Sequence, residues 1–180
     1  MPFLAVQLLW HNLVTNGIQD IALAFEKGDK VVMQKPPRRA DESIFDKLMN
    51  SQILVSGLLI AGIVFGLWYH LIYELNYNTV HARSVIMMLM VLLQNLHVLD
   101  CRSETKSLFK MSFENNYVLV GGIIMAQLAH ISAAYIPCLN TTLQLEPITL
   151  DEWLKLLPTA ASILVVMEIF KWFWRSRATA

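Results

Sequence analysis

Long apolar runs separated by short polar stretches are the main pattern of this chain. Five runs are long enough to cross a bilayer as helices at about 1.5 Å of rise per residue. They cover residues 3–25, 52–73, 84–101, 117–136 and 154–174. Because the apolar residues gather in long blocks and are not spread through amphipathic elements, the pattern predicts an all-α, polytopic membrane bundle of five transmembrane helices.

Basic residues mark alternate connections between these runs. The connection 26–49 is rich in lysine and arginine, 74–83 has one arginine at its far end, 102–110 is basic again, and 137–150 has no basic residue. Basic loops stay in the cytoplasm, so 26–49 is predicted to be a cytoplasmic loop, with the N-terminus outside and the C-terminus cytoplasmic. The start of the chain lacks the basic region and cleavage site of a signal peptide.

Composition supports a membrane class. Of the 180 residues, 56% are hydrophobic and 16% are charged, with a formal net charge of zero. Soluble domains carry about 25% charged residues, so the low charge agrees with a membrane protein, and the five long apolar runs exclude a soluble enzyme. A basic stripe interleaved with aromatic residues is absent from the sequence, which excludes nucleic-acid binding. We therefore expect residues 1–180 to form a single transmembrane domain in a lipid bilayer.

Several polar side chains interrupt the first apolar run. At about 100° per residue, four fall on one stripe and a fifth lies at its edge: Asn12, Thr15, Asn16, Gln19 and Asp20. Polar groups at membrane depth normally face a bundle interior, a partner or a solute path. Gly17 is expected to loosen the helix and free carbonyl oxygens. The residues alone leave open a cation path and plain hydrogen bonding between helices.

Residues 7–17 read Gln-Leu-Leu-Trp-x-Asn-Leu-Val-Thr-Asn-Gly. This run resembles the sixth membrane helix of P-type cation-transporting ATPases, in the calcium-pump-like branch and of bacterial type. That helix supplies cation ligands in the family, so the resemblance assigns a metal-binding role for the transported cation to Asn12, Thr15 and Asn16. Aspartate is commoner at the position of Asn16, and its absence leaves the identity of the cation open.

Two further motifs resemble the same family. The Met-x-x-Pro-Pro-Arg segment at 33–38 resembles a loop that touches the cytoplasmic phosphorylation domain. The Cys-Arg-Ser-Glu-x-x-Ser-Leu-Phe segment at 101–109 resembles the cytoplasmic exit of the eighth membrane helix. In that helix Gln94 matches a position where two-site calcium pumps have a ligand glutamate. Beside the ligands, three side chains are candidates for supporting them: Gln19, Asp20 and His97. For His97, a role as ligand or proton carrier and a role as a hydrogen-bonded core residue both stay open.

The second apolar run carries a small-residue pair, and the last run carries a charged pair. Gly62 and Gly66 have the spacing that lets two helix backbones approach closely. The resemblance implies that this helix packs on the fifth membrane helix of the family, which this chain lacks. Glu168 and Lys171 are spaced to pair across one helical turn.

The resemblance spans nearly the whole chain and matches the last five helices of a ten-helix pump. The sequence contains no Asp-Lys-Thr-Gly-Thr phosphorylation motif and no Gly-rich phosphate cradle. We therefore expect a C-terminal transport-domain fragment that contributes part of the cation site in a bacterial plasma membrane. Its partner would be the missing N-terminal half. The chain alone is expected to bind no cofactor and to hydrolyse no ATP, since ATP and Mg belong to the full pump.

Two alternatives to a pump fragment remain. One is a non-catalytic membrane subunit or regulator that binds another membrane protein through Gly62 and Gly66. The other is an independent small transporter, for which a chain without internal repeats is poorly suited.

Overall fold

The computed structural model describes residues 1–27, 45–112, 114 and 116–178. Within these ranges the regular structure is helical, with seven α-helices: α1 (Ala5–His11), α2 (Gly17–Leu23), α3 (Lys47–Tyr69), α4 (Thr79–Asp100), α5 (Tyr117–Tyr135), α6 (Pro137–Leu143) and α7 (Leu150–Ala178). Two π-helical segments cover Asn12–Asn16 and His70–Glu74, and a 3₁₀ turn covers Leu108–Lys110. Residues 28–44, which hold the predicted Pro-Pro-Arg loop motif, lie outside the described residues.

Four helical stretches are long and apolar enough to cross a membrane, and they include α3, α4, α5 and α7. The first predicted run is also helical, but as α1, a π-helical segment and α2 in succession. The all-α prediction is therefore confirmed for the described residues.

Polar caps make two of the spanning helices start earlier than their apolar runs. Asp46 accepts a hydrogen bond from the Met49 amide at 2.7 Å at the start of α3, and Asn78 accepts one from Val80 at 3.2 Å at the start of α4. Such caps satisfy amides of the first turn, so a helix can begin in polar sequence. The connection 137–150 is predicted to be a loop, but α6 occupies half of it. Pro137 stands at the first position of α6, where the missing amide proton costs nothing.

Helix α4 is the centre of the bundle. In its apolar window 67% of the residues are buried, against 17–28% in the other three spans. Its side chains Ile86, Leu89 and Leu93 are fully buried and share one core with Ile163 and Met167 of α7. Helices α3, α5 and α7 and both π-helical segments pack against α4, so residues on α4 are well placed to join separate parts of the bundle.

Two glycine positions differ in their surroundings. A Cβ atom at Gly122 of α5 would lie 3.2 Å from Ile18 and 3.4 Å from Ala22, so the glycine permits close approach of α2 and α5. A Cβ atom at Gly62 or Gly66 would meet no described atom within 4 Å. The predicted small-residue pair on α3 therefore takes no part in packing within the described part of this chain.

A buried ion pair joins α4 to α7 near the end where α4 stops. Lys171 Nζ lies 2.7 Å from Asp100 Oδ1 and donates to the carbonyl oxygens of Asp100 at 2.7 Å and Lys106 at 3.3 Å. Glu168 Oε1 instead accepts a hydrogen bond from the Leu108 amide at 2.6 Å. The interpretation that Glu168 pairs with Lys171 is therefore wrong, because α4 offers the lysine a nearer carboxylate that sequence spacing does not reveal.

Candidate cation site

The predicted polar stripe lies partly on the buried side of its helix and partly on the exposed side. Thr15 and Gln19 face the bundle and are 1% and 3% exposed. Asn12 and Asp20 are exposed, and Asn16 is half-buried. The predicted ligands are therefore close in space, but two of them lie on a surface that the described residues leave open.

The backbone of the predicted ligands is π-helical. Residues Asn12–Asn16 form the π-helical segment, and the amide of Gly17 donates to the carbonyl oxygen of Asn12. Single π-helical turns inside α-helices are rare and often occur at functional sites. The helix is thus widened just before Gly17 and is not broken there. A Cβ atom at residue 17 would lie 3.5 Å from Asn12 O, an ordinary contact, so space alone does not require this glycine.

The side chains of Asn12 and Asn16 form a pair. Asn16 Nδ2 donates to Asn12 Oδ1 at 2.9 Å, which holds both amides on one turn. Hard cations prefer oxygen ligands, and Ca²⁺ takes 6–8 of them. Together with the Thr15 hydroxyl, the pair offers at most three side-chain oxygens and no formal charge. In the part of the chain that the structure describes, no cluster of three or more His, Cys, Asp or Glu residues can hold a metal ion.

A series of hydrogen-bonded side-chain amides connects α2, next to the π-helical segment, to the interior of the bundle. Gln19 Nε2 donates to Asn95 Oδ1 at 2.6 Å, and Asn95 Nδ2 donates to Gln127 Oε1 at 2.9 Å. Gln127 Nε2 then lies 3.2 Å from the Met88 sulfur. These hydrogen bonds join α2, α4 and α5. Gln19 is therefore hydrogen-bonded inside the bundle, and its supporting role stays a prediction. Sequence reasoning did not single out Asn95, although two adjacent amides, Gln94 and Asn95, in an apolar run are a usable signal.

Two of the predicted site residues, Gln94 and His97, belong to α4. Gln94 is half-buried, and no hydrogen bond joins its side chain to another described residue. His97 borders a cavity of about 300 Å³ whose other walls come from α3, α7 and the residues after α4. Its Nε2 lies 3.6 Å from the Cys101 sulfur. Among the described residues, no hydrogen bond joins Gln94 or His97 to Asn12, Thr15 or Asn16.

An ion pair fixes the end of α2 from which residues 28–44 continue. Arg102 donates from Nε and Nη2 to both carboxylate oxygens of Glu26, each at 2.9 Å, and from Nη2 to the Ser112 carbonyl oxygen at 2.8 Å. Burial by itself raises the pKa of Glu26, but hydrogen bonds from Arg102 and Asn116 and the charge of Arg102 outweigh it. The pKa of Glu26 is therefore held below its ordinary value.

Comparisons with known proteins agree with these features. The family model described as "Cation transporting ATPase, C-terminus" matches residues 1–173. The "Calcium-transporting ATPase" of Bacillus subtilis (strain 168) is 31% identical over 162 residues, which are 89% of this chain and 18% of that protein. The human "Calcium-transporting ATPase type 2C member 1" is 32% identical over 179 residues, 98% of this chain and 19% of that protein.

A third relative carries a less specific name. The "Probable cation-transporting ATPase F" of Mycobacterium tuberculosis (strain ATCC 25618 / H37Rv) is 28% identical over 170 residues, 93% of this chain and 18% of that protein. The chain thus spans less than a fifth of the length of the curated relatives it matches. Since the family match covers nearly all its residues, the chain belongs to the C-terminal family of cation-transporting ATPases and is a transmembrane domain of the P-type class.

Proposed function

We propose that this chain supplies the last five membrane helices of a P-type cation pump and part of the pump's cation site. Asn12, Thr15 and Asn16 would contribute oxygen ligands, and Gln94 would add one from α4. The observation that carries the proposal is the π-helical turn at Asn12–Asn16, whose two paired amides stand on an uncovered face of the bundle. The N-terminus would lie outside and the C-terminus in the cytoplasm of a bacterial cell.

The uncovered face is the reason to expect further helices. Exposed amides facing hydrocarbon are costly, so Asn12 and Asn16 need a polar neighbour or a solute. The side chains of Asn12, Thr15 and Asn16 offer at most half the oxygens that a calcium ion takes. The relatives are more than five times as long as the matched region. We expect the rest of such a pump to supply the other ligands and the helices that cover this face.

The neutral ligand set bears on which cation is carried. Asn12, Asn16 and Gln94 present amide oxygens with no formal charge, and affinity for a divalent cation depends on ligand charge. A monovalent ion or a divalent ion bound at a single site fits this set better than two calcium ions. ATP and Mg would be bound by the part of the pump outside this chain, so the purified chain should show no vanadate-sensitive ATP hydrolysis.

A chimera tests the proposal. In the Bacillus subtilis relative, the matching C-terminal segment is replaced by this chain, and ATP-driven uptake of radioactive calcium and of monovalent ions is measured in vesicles. Asn12→Ala and Asn16→Ala should each lower the apparent cation affinity by about tenfold or more, as lost ligand-sphere groups do. Asn16→Asp should raise affinity for calcium. Asn50→Ala, an exposed position at the start of α3, is the control. Unchanged cation affinity in both alanine variants would mean that Asn12 and Asn16 serve helix packing and do not bind the cation.

A second candidate function rests on α3. Gly62 and Gly66 are exposed, with no described atom near the position of a Cβ atom, so a foreign helix can approach this face closely. The chain would then be a non-catalytic subunit or regulator of another membrane protein. Gly62→Leu would abolish co-purification with that protein without lowering the stability of the chain. If the chimera transports cations and no separate partner is retained by the native chain, this alternative is excluded.

A further inference from the structure

A cavity of about 340 Å³ opens between α4, α5, α7 and the segment that leads into α7. This volume is at the lower end of ligand pockets, which range over about 300–1,000 Å³. Most of its wall is hydrocarbon, including Met88 of α4 and Ile131 of α5. The cavity is separate from the π-helical turn at Asn12–Asn16, which contributes none of its wall.

Two buried polar atoms belong to residues that border this cavity and have no hydrogen-bond partner. His130 is 3% exposed, and its Nδ1 has no hydrogen-bond partner among the described residues. The indole Nε1 of Trp153 has no such partner either. Buried donors are almost always satisfied, so an acceptor in the cavity that both nitrogens reach by rotation of their rings would remove both deficits. A single water needs two to four polar partners, and a wall this apolar is a poor host for one.

The depth of the cavity suits a lipid. Trp153 lies in the first turn of α7, and the cavity wall reaches Ser84, in the second turn of α4, and Tyr135 at the end of α5. Tyrosine and tryptophan collect where membrane helices meet the head-group region. Ester carbonyl oxygens of glycerophospholipids lie at this level and are acceptors. The Trp153 N–H, and His130 with its proton on Nδ1, are matching donors.

The charge at the rim selects the head group. Glu146 borders the cavity, and its backbone is held by a 2.7 Å hydrogen bond to the Ser84 hydroxyl. His81 lies between Glu146, 3.4 Å from its carboxylate, and Glu152, at 2.8 Å. Even with His81 protonated, the two carboxylates leave this cluster net negative. An anionic head group would be repelled, whereas a primary ammonium group would find a carboxylate partner.

We propose that this cavity binds one glycerophospholipid with a primary ammonium head group, of phosphatidylethanolamine type. Trp153 and His130 donate hydrogen bonds to its ester carbonyl oxygens, Glu146 accepts from its ammonium group, and one acyl chain lies along Met88 and Ile131. The lipid fills an open wall between three helices and so fixes their arrangement at this end of the bundle.

Native mass spectrometry of the full chain tests this. The protein is purified from nanodiscs holding equal amounts of dioleoyl phosphatidylethanolamine, phosphatidylcholine and phosphatidylglycerol, and the lipid retained per chain is counted. One phosphatidylethanolamine per chain is expected. Trp153→Phe keeps most of the ring and loses the donor, so retention should fall roughly fivefold. Trp172→Phe, at an exposed position of the same helix, is the control and should leave retention unchanged.

Two more variants show whether the lipid occupies the cavity itself and is selected by its head group. Ala134→Met fills the cavity and should abolish retention, whereas Ala129→Met, on the same helix but outside the cavity wall, should not. Glu146→Gln should lower the preference for phosphatidylethanolamine over phosphatidylglycerol by at least about threefold. Equal retention of the three lipids, or equal behaviour of the two tryptophan variants, would overturn the proposal and leave the cavity to water or detergent.

Discussion

The buried lysine of α7 gives the sharpest test of the structure. Lys171 is 0% exposed, and the Asp100 side chain opposite it is 3% exposed. In Lys171→Met the apolar stem is kept but the charge is lost, so Asp100 becomes a buried carboxylate without a partner. Breaking a buried pair in this way typically costs about 3–5 kcal/mol. The carbonyl oxygens of Asp100 and Lys106 lose their donor as well.

A double variant shows whether the loss comes from the stranded charge. Adding Asp100→Asn to Lys171→Met removes the unpaired carboxylate, and replacing both members of a buried pair is often close to neutral. Most of the lost stability should therefore return. The free energy of unfolding is measured on the purified chain in mixed micelles, by following helical circular dichroism as denaturing detergent increases.

Two controls distinguish this buried pair from the neighbouring carboxylate and from exposed pairs. Glu168→Gln keeps the oxygen that accepts from the Leu108 amide, so it should have a small effect. Lys155→Met breaks an exposed pair with Asp151 and should change nothing measurable. The reasoning is refuted if Lys171→Met costs under about 1 kcal/mol, well short of a broken buried pair. It is also refuted if Glu168→Gln is as damaging as Lys171→Met.

Three further predictions concern packing, the amide chain and pH. Gly122→Leu should destabilise the chain by about 1–3 kcal/mol through overpacking, whereas Gly62→Leu should not, and equal thermal unfolding of the two variants would contradict the structure. Asn95→Leu removes one buried and one partly buried hydrogen bond and should speed hydrogen exchange in α2, measured by mass spectrometry; unchanged exchange would argue against the amide chain. Glu26→Gln should remove the stabilisation that the Glu26 carboxylate gains from Arg102. That stabilisation is fully present above the ordinary carboxyl pKa and is lost as pH falls through the lowered pKa of Glu26. A difference in unfolding free energy between the two proteins that does not change with pH would refute this prediction.

Much of the architecture was predictable because bilayer thickness constrains a membrane helix strongly. Apolar runs that match this thickness predicted the helices that the structure contains, and the motif order around Asn12 predicted the family. Helix starts were less predictable, since caps such as Asp46 and Asn78 extend helices into polar sequence. The short helix after Pro137 was missed for a similar reason, because its apolar content is too low to stand out.

The sequence by itself determined the class, the family and the helix that carries the candidate ligands, since these depend on local patterns of hydrophobic length and motif order. The tertiary structure alone decided which polar groups meet: Thr15 turns inward while Asn12 turns outward, and Lys171 pairs with Asp100, which is 71 residues away, and not with Glu168. The physical reason is that helical periodicity places side chains around one axis only. Which side is buried, and which opposite charge is nearest, depends on the neighbouring helices.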